Sequence, residues 1–272
     1  MTETTPRVHQ EILAYYARGG EDARLRPGGA TAGRLEFWRT QEVLRRLLPG
    51  PPARVLDVGG GSGVHAEWLV ADGYTVDLVD PVPLHVRQAA RIPGVTAHTG
   101  DARELSVPDD TYDAVLLLGP LYHLPERPDR TRVLAEAHRV VRPGGPVVAA
   151  TINRYAQLHD LLHKESYFTP GHRERTDAVL VDGRHPFHDD GFFTVAHFAQ
   201  PDEVRGEFTE ARLTVEGQYG VEGVAWLLGG VEDWLDDPER RETLLAACRH
   251  IESEPTLLGV SGHLLTAGRR PL

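Results

Sequence analysis

The residues best suited to chemistry fall in one run, Asp57-Val58-Gly59-Gly60-Gly61-Ser62-Gly63. An acid closes a short apolar stretch there, and a turn follows with glycine at its first, third and fifth places. Glycines so spaced permit unusual backbone angles and let the main chain approach a ligand closely. An amphipathic segment from His65 to Val70 comes directly after, so the run reads as the first strand, turn and helix of a nucleotide-binding α/β unit. The spacing is G-x-G-x-G, with Val64 where a dinucleotide fingerprint wants its third small residue. That points away from NAD and toward another adenosine cofactor.

Further acids sit at the ends of the next apolar stretches. Thr75 to Val79 ends in Asp80, placed to accept hydrogen bonds from the two hydroxyls of an adenosine ribose, or else a solvated strand-end acid. Val95 to His98 leads into Gly100-Asp101-Ala102. Asp101 with the Ala102 amide can read an adenine edge, and the alternative is a helix cap. A buried-looking strand, Tyr112 to Leu118, then runs into Gly119-Pro120-Leu121-Tyr122-His123. A helical stretch from Arg130 to Val141, the stop Arg142-Pro143-Gly144-Gly145 and a strand from Pro146 to Thr151 complete the succession.

These motifs, in this order and at βαβ spacing, resemble the class I S-adenosylmethionine-dependent methyltransferases over residues 35–155. Tyr15-Tyr16 and Glu36-Phe37-Trp38-Arg39-Thr40 are similar to small-molecule methyltransferases of actinobacterial type. The resemblance implies a doubly wound, Rossmann-like α/β sheet of seven strands with an antiparallel last pair. It implies S-adenosylmethionine as cofactor and S-adenosylhomocysteine as product. Gly59, Gly61, Gly63, Asp80, Asp101 and Ala102 then become cofactor residues. Asp57 is expected to organise the turn through backbone N–H groups, near the amino acid end of the cofactor. By the same resemblance Leu118 and Gly119 border the reacting centre, and Arg39 clamps the cofactor carboxylate unless it is an exposed helix arginine.

Methyl transfer is an in-line displacement in which the protein supplies position, desolvation and, where needed, a base. His123 follows the fourth strand at the ligand edge, and an unperturbed imidazole titrates near neutral pH. It is the candidate catalytic base, with a pocket-shaping histidine as the alternative. Tyr122 either orients the acceptor or fills the pocket. The expected reaction is O- or N-methylation of a small molecule of secondary metabolism. The rivals are a nicotinamide-dependent oxidoreductase on the same architecture and a repurposed protein that binds the cofactor without methyl transfer.

Four segments are expected to position these residues. Residues 1–50 form a helical flap over the carboxyl edge of the sheet, and 51–152 form the cofactor-binding α/β core. Residues 153–200 form a cap inserted after strand five, and 201–272 complete the core. Forty acids against 29 bases give a net charge of −11, a poor match for a phosphate backbone, so nucleic acid is disfavoured as the acceptor. Cys248 is the single cysteine, which suits a reducing cytoplasm. No apolar run approaches the roughly 20 residues of a membrane span. The cap histidines His159, His163, His172, His185, His188 and His197 have no cysteine to complete a zinc set, so no metal is expected. They are read as lining an acceptor pocket or lying in solvent.

Overall fold

The computed structural model describes residues 10–19, 31–186 and 193–272. The chain begins with α1 (Gln10–Ala17) and α2 (Thr31–Leu47). It then alternates β1 (Arg54–Val58), α3 (Val64–Ala71), β2 (Thr75–Asp80), α4 (Pro83–Ala89), β3 (Val95–Thr99), β4 (Ala114–Leu117), α5 (Arg127–Val140) and β5 (Pro146–Asn153). Next come α6 (Ala156–His163), α7 (His172–Asp182), the short β6 (Arg184–His185) and β7 (Ala196–Ala199), and α8 (Pro201–Glu210). The chain closes with β8 (Thr214–Gly220), α9 (Val231–Asp236), α10 (Pro238–Ile251) and β9 (His263–Arg269).

Seven strands form the central sheet in the order β3-β2-β1-β4-β5-β9-β8. β1 to β5 pair in parallel, and β9 runs antiparallel to both β5 and β8. The apolar strands are buried because helices cover both faces, as a parallel sheet requires. Alternation divides them between two cores: Ala114, Leu116, Val148 and Ala150 face α2 and α3, while Val115, Leu117, Val147 and Ala149 face α5 and α8. The resembled sheet, with its antiparallel closing strand, is present. No described helix is long and apolar enough to cross a membrane.

Two segments differ from the simple flap and cap. α2 is a core helix: Phe37, Val43 and Leu44 pack under the sheet, and Leu35 packs against Leu235, Leu245 and Cys248 of α9 and α10. Among the described residues of this segment, α1 reaches the cleft through Ile12 and Tyr16, and α2 through Glu36 and Thr40. After strand five, β7 pairs in parallel with Ile152 and Asn153 of β5, beyond the point where β4 stops. The inserted segment is thereby fixed to the sheet, with a small core of Ile152, Ala156, Val179, Ala196 and Phe198.

Candidate active site

An open cleft crosses the carboxyl edge of the sheet. One end is lined by Gly100, Asp101, Ala102 and Arg103 beyond β3, the other by Glu36 of α2 and His263 at the start of β9. The glycine turn forms its floor. Gly59 N–H donates to the Val79 carbonyl at 2.6 Å, Gly61 N–H to Asp80 Oδ2 at 3.0 Å, and Gly63 N–H to the Gly60 carbonyl at 3.0 Å. Gly61 has φ +58°, and among the described residues a Cβ placed there would meet nothing nearer than His85 Nδ1 at 4.0 Å, so its bare backbone faces the cleft. Gly60 is constrained from below: a Cβ there would stand 2.5 Å from Asp57 Oδ2. The sequence reading passed over Gly60 because it is not one of the spaced glycines.

Asp57 is fully buried, and neither carboxylate oxygen accepts a hydrogen bond from the described residues. Burial, reinforced by Asp80, pushes its carboxyl up from 3.8 to about 7. The expected bonds from turn amides to Asp57 are therefore not made, since those amides are satisfied by Val79, Asp80 and Gly60.

Asp80 is 4% exposed. Its Oδ1 lies 2.8 Å from Val82 N and 3.1 Å from His85 Nδ1, and its Oδ2 takes the Gly61 amide. A carboxylate has about four acceptor positions, so Asp80 retains room for one ligand hydroxyl, on Oδ2, where two were expected. His85 was not foreseen. It lines the cleft, and its buried Nε2 has no hydrogen-bond partner among the described residues. Asp101 is held by its neighbour: Arg103 donates to Oδ1 from N and Nε and to Oδ2 from Nη2. One acceptor position on Oδ2 remains beside Ala102. Gly119 is required by close packing, because a Cβ there would lie 2.9 Å from the Gly59 carbonyl oxygen, and Leu118 lines the cleft next to it.

Arg39 lies elsewhere than expected. It is fully buried, and its guanidinium donates to the Val221 carbonyl, Glu42 and Glu252. Helical periodicity explains the difference: Glu36 and Thr40 line the cleft, while Arg39 turns toward α10. Against the upward push of its own burial, bonds from Arg46 and Arg39 hold the Glu252 carboxyl below its usual range.

Beyond β4, Tyr122 and His123 both line the cleft, in and around a short 3₁₀ turn (Leu121–His123). His123 Nδ1 lies 3.2 Å from the Val195 carbonyl oxygen, which can only accept, so Nδ1 carries the proton. Its Nε2 then accepts from the Tyr16 hydroxyl at 2.7 Å. The basic nitrogen is thus turned onto α1.

The described cap histidines do not line the cleft. His185 stacks on Phe198, and its Nδ1 donates to the Thr194 carbonyl at 3.1 Å. His197 is buried 3.4 Å from Glu203. Both belong to the packing of the inserted segment, and His188 lies outside the described residues. A different group does converge at the cleft: one ligand atom each of Glu36, Glu222 and His263 lie within 4.8 Å of one another. These residues come from α2, the loop after β8 and β9, too far apart in sequence for any spacing motif to join them.

A family described as a methyltransferase domain matches residues 55–145. An uncharacterized methyltransferase of Mycobacterium tuberculosis is 38% identical over 122 residues, 43% of this chain and 48% of that protein. The chain therefore spans about half the length of that relative. A ubiquinone biosynthesis O-methyltransferase of Pseudomonas syringae pv. tomato is 36% identical over 62% of this chain and 67% of its own. Among solved structures, an S-adenosylmethionine-dependent methyltransferase from Mesorhizobium loti shares the fold with a TM-score of 0.59. It is 20% identical and covers 89% of this chain and 100% of that one. With the glycine turn, the strand-end acids and the sheet order in place, this chain belongs to the class I S-adenosylmethionine-dependent methyltransferases.

Proposed function

We propose that the chain transfers the methyl group of S-adenosylmethionine to a small molecule held in the same cleft. The observation that carries this reading is Asp57, a buried carboxylate without a donor, beneath a backbone turn whose Gly61 faces the cleft. A ligand ammonium suits that carboxylate, and a sulfonium suits a cleft whose described lining sets Glu36, Asp57, Asp80 and Asp101 against the guanidinium of Arg103. When bound, the cofactor supplies the electrophilic methyl group. The residues that would hold it are the Gly59–Gly63 turn, Asp57, Asp80, Asp101, Ala102, Leu118 and Gly119. Arg39 is left out, since it is fully buried away from the cleft lining with its guanidinium turned onto Val221, Glu42 and Glu252.

With the nucleoside side at the tips of β2 and β3, the acceptor belongs over β4, β5 and β9. Tyr122 and His123 form one wall there, and Leu118, Ala150, Val221 and Leu265 give it an apolar lining. His123 reaches an acceptor through Tyr16 and so orients it. Methylation of an apolar secondary metabolite at oxygen or nitrogen fits this lining, and the name of the Pseudomonas relative supports the oxygen. Titration calorimetry with S-adenosylhomocysteine and with NADH tests the reading. Heat with the sulfur ligand alone is the expected result, and heat with NADH alone would overturn it.

A further inference from the structure

We propose that His85 shares the cofactor's ribose with Asp80: one hydroxyl of the diol donates to Asp80 Oδ2, and the other hydrogen-bonds to His85 Nε2. This rests on the methyl-transfer reading above and assigns a specificity-determining residue within that site.

Asp80 has too few open acceptor positions to take both hydroxyls. Its Oδ1 is committed to the Val82 amide at 2.8 Å and to His85 Nδ1 at 3.1 Å, and its Oδ2 takes the Gly61 amide at 3.0 Å. About four acceptor positions belong to a carboxylate, so roughly one remains, on Oδ2. The second hydroxyl of a vicinal diol, on the adjacent carbon, needs another partner close by.

His85 supplies that partner. It is 4% exposed and lines the cleft from α4. A carboxylate only accepts, so Nδ1, beside Asp80 Oδ1, carries a proton, and the neutral ring keeps its lone pair on Nε2. That nitrogen is buried and has no hydrogen-bond partner among the described residues. Buried polar atoms of folded chains are bonded in the large majority of cases, so an orphan on a residue of the cleft wall points to a ligand. A hydroxyl suits Nε2 in either charge state of the ring. It donates to the lone pair of the imidazole and accepts from the imidazolium.

The ring is held for this role. Pro83 opens α4 directly after Asp80-Pro81-Val82, so His85 falls one turn beyond the acid and bonds back to it. A Cβ on Gly61 would stand 4.0 Å from His85 Nδ1, so the imidazole borders the glycine turn as well as Asp80. Tyr16 of α1 meets the same ring edge-on at 5.4 Å, with its hydroxyl on His123. A side chain fixed by a hydrogen bond at one nitrogen and by an aromatic contact loses little freedom when a ligand bonds to the other nitrogen. A buried acceptor suited to a hydroxyl also rejects an analogue that lacks it, because the acceptor is then left unpaired.

Titration calorimetry at pH 8 with S-adenosylhomocysteine and its 2′-deoxy and 3′-deoxy analogues tests the assignment. In the parent chain each analogue should bind about 10-fold more weakly than the full ribose. His85→Asn keeps a donor in the place of Nδ1 and removes the group at Nε2. In that variant S-adenosylhomocysteine should weaken by about 10-fold, one deoxy penalty should disappear, and the other, set by Asp80, should persist. Unchanged affinity in His85→Asn, or both penalties undiminished there, would overturn the proposal. Nitrogen-15 NMR of the histidine-labelled parent chain gives a readout that needs no folded variant for its outcome, with the ring assigned by loss of its signals in His85→Asn or His85→Gln. S-adenosylhomocysteine should move the Nε2 resonance upfield while Nδ1 keeps its proton. An Nε2 resonance that stays in place while the ligand binds would overturn the His85 assignment alone. A parent chain that binds no S-adenosylhomocysteine would overturn the methyl-transfer reading, and the assignment with it.

Discussion

A carboxylate withdrawn from water with no donor beside it is costly to ionise, and Asp57 is in that position. Raising its carboxyl from 3.8 to about 7 corresponds to roughly 4 kcal/mol of preference for the neutral form in the folded chain. The sign follows from linkage. Because the folded value lies above the unfolded one, the stabilisation is complete below about pH 4 and is lost as pH rises to about 7. Ligand-free Asp57→Asn should therefore gain stability relative to the parent chain between pH 4 and 7, with a constant difference above that. Urea unfolding of both proteins across this range measures it, and parallel curves would refute the burial argument. A ligand ammonium over Asp57 should reverse the preference, so S-adenosylhomocysteine binding near pH 6.5 should release about one proton in the parent chain. Calorimetry in buffers of different ionisation heat detects that proton, and Asp57→Asn should not release it. Asp57, the glycines and Asp80 were legible in the sequence because their chemistry is local to one strand and turn. The hydrogen bonds Tyr16–His123 and Glu222–His263 join residues 107 and 41 positions apart, and no local pattern announces them.

At the scale of elements, the alternation of apolar residues and the glycine and proline stops marked most strands and helices correctly. Burial on both faces of a parallel sheet leaves a strong sequence signal. The function of α2 was harder to read. One helix carries a cleft face, Glu36 and Thr40, and a structural face whose Arg39 joins Glu42 and Glu252, with Arg46 and Arg249 bound to the same two acids. The two faces are separated by about 60–100° of helical rotation. A motif quoted as a string does not resolve them. Removing one member of a buried ion network leaves the others uncompensated, at a typical cost of about 3–5 kcal/mol. Arg39→Met should therefore lower the melting temperature by on the order of 10 °C, while S-adenosylhomocysteine affinity at 10 °C changes by less than about threefold. A carboxylate clamp would show the opposite pattern, with retained stability and lost affinity. Thermal unfolding and calorimetry on the same preparation separate the two roles.

For the whole molecule, the question is how a cleft open on one side becomes closed to water during transfer. α1 has eight residues, too few to be stable as an isolated helix, and Ile12 is its buried residue. Its order depends on what it touches. The Tyr16 ring meets His85 at 5.4 Å and His123 at 5.2 Å, and Tyr15 meets Phe193 at 5.9 Å, so α1 bridges the cofactor side of the cleft to the inserted segment. Phe193 continues to Phe198 on β7, which is paired with β5. A ligand hydroxyl on Asp80 would tighten His85, and through Tyr16 it would favour the ordered position of α1. Hydrogen exchange should accordingly slow in residues 10–17 and 193–199 together when S-adenosylhomocysteine binds, because one aromatic cluster spans both. Tyr16→Ala should uncouple them: protection in 10–17 is lost, protection in 193–199 falls, and the glycine turn stays protected because its amides are held by Val79 and Asp80. Loss of protection in all three regions would mean that Tyr16 supports the cofactor site itself. Slowing confined to the turn would mean that α1 and the inserted segment are ordinary surface structure and take no part in closure.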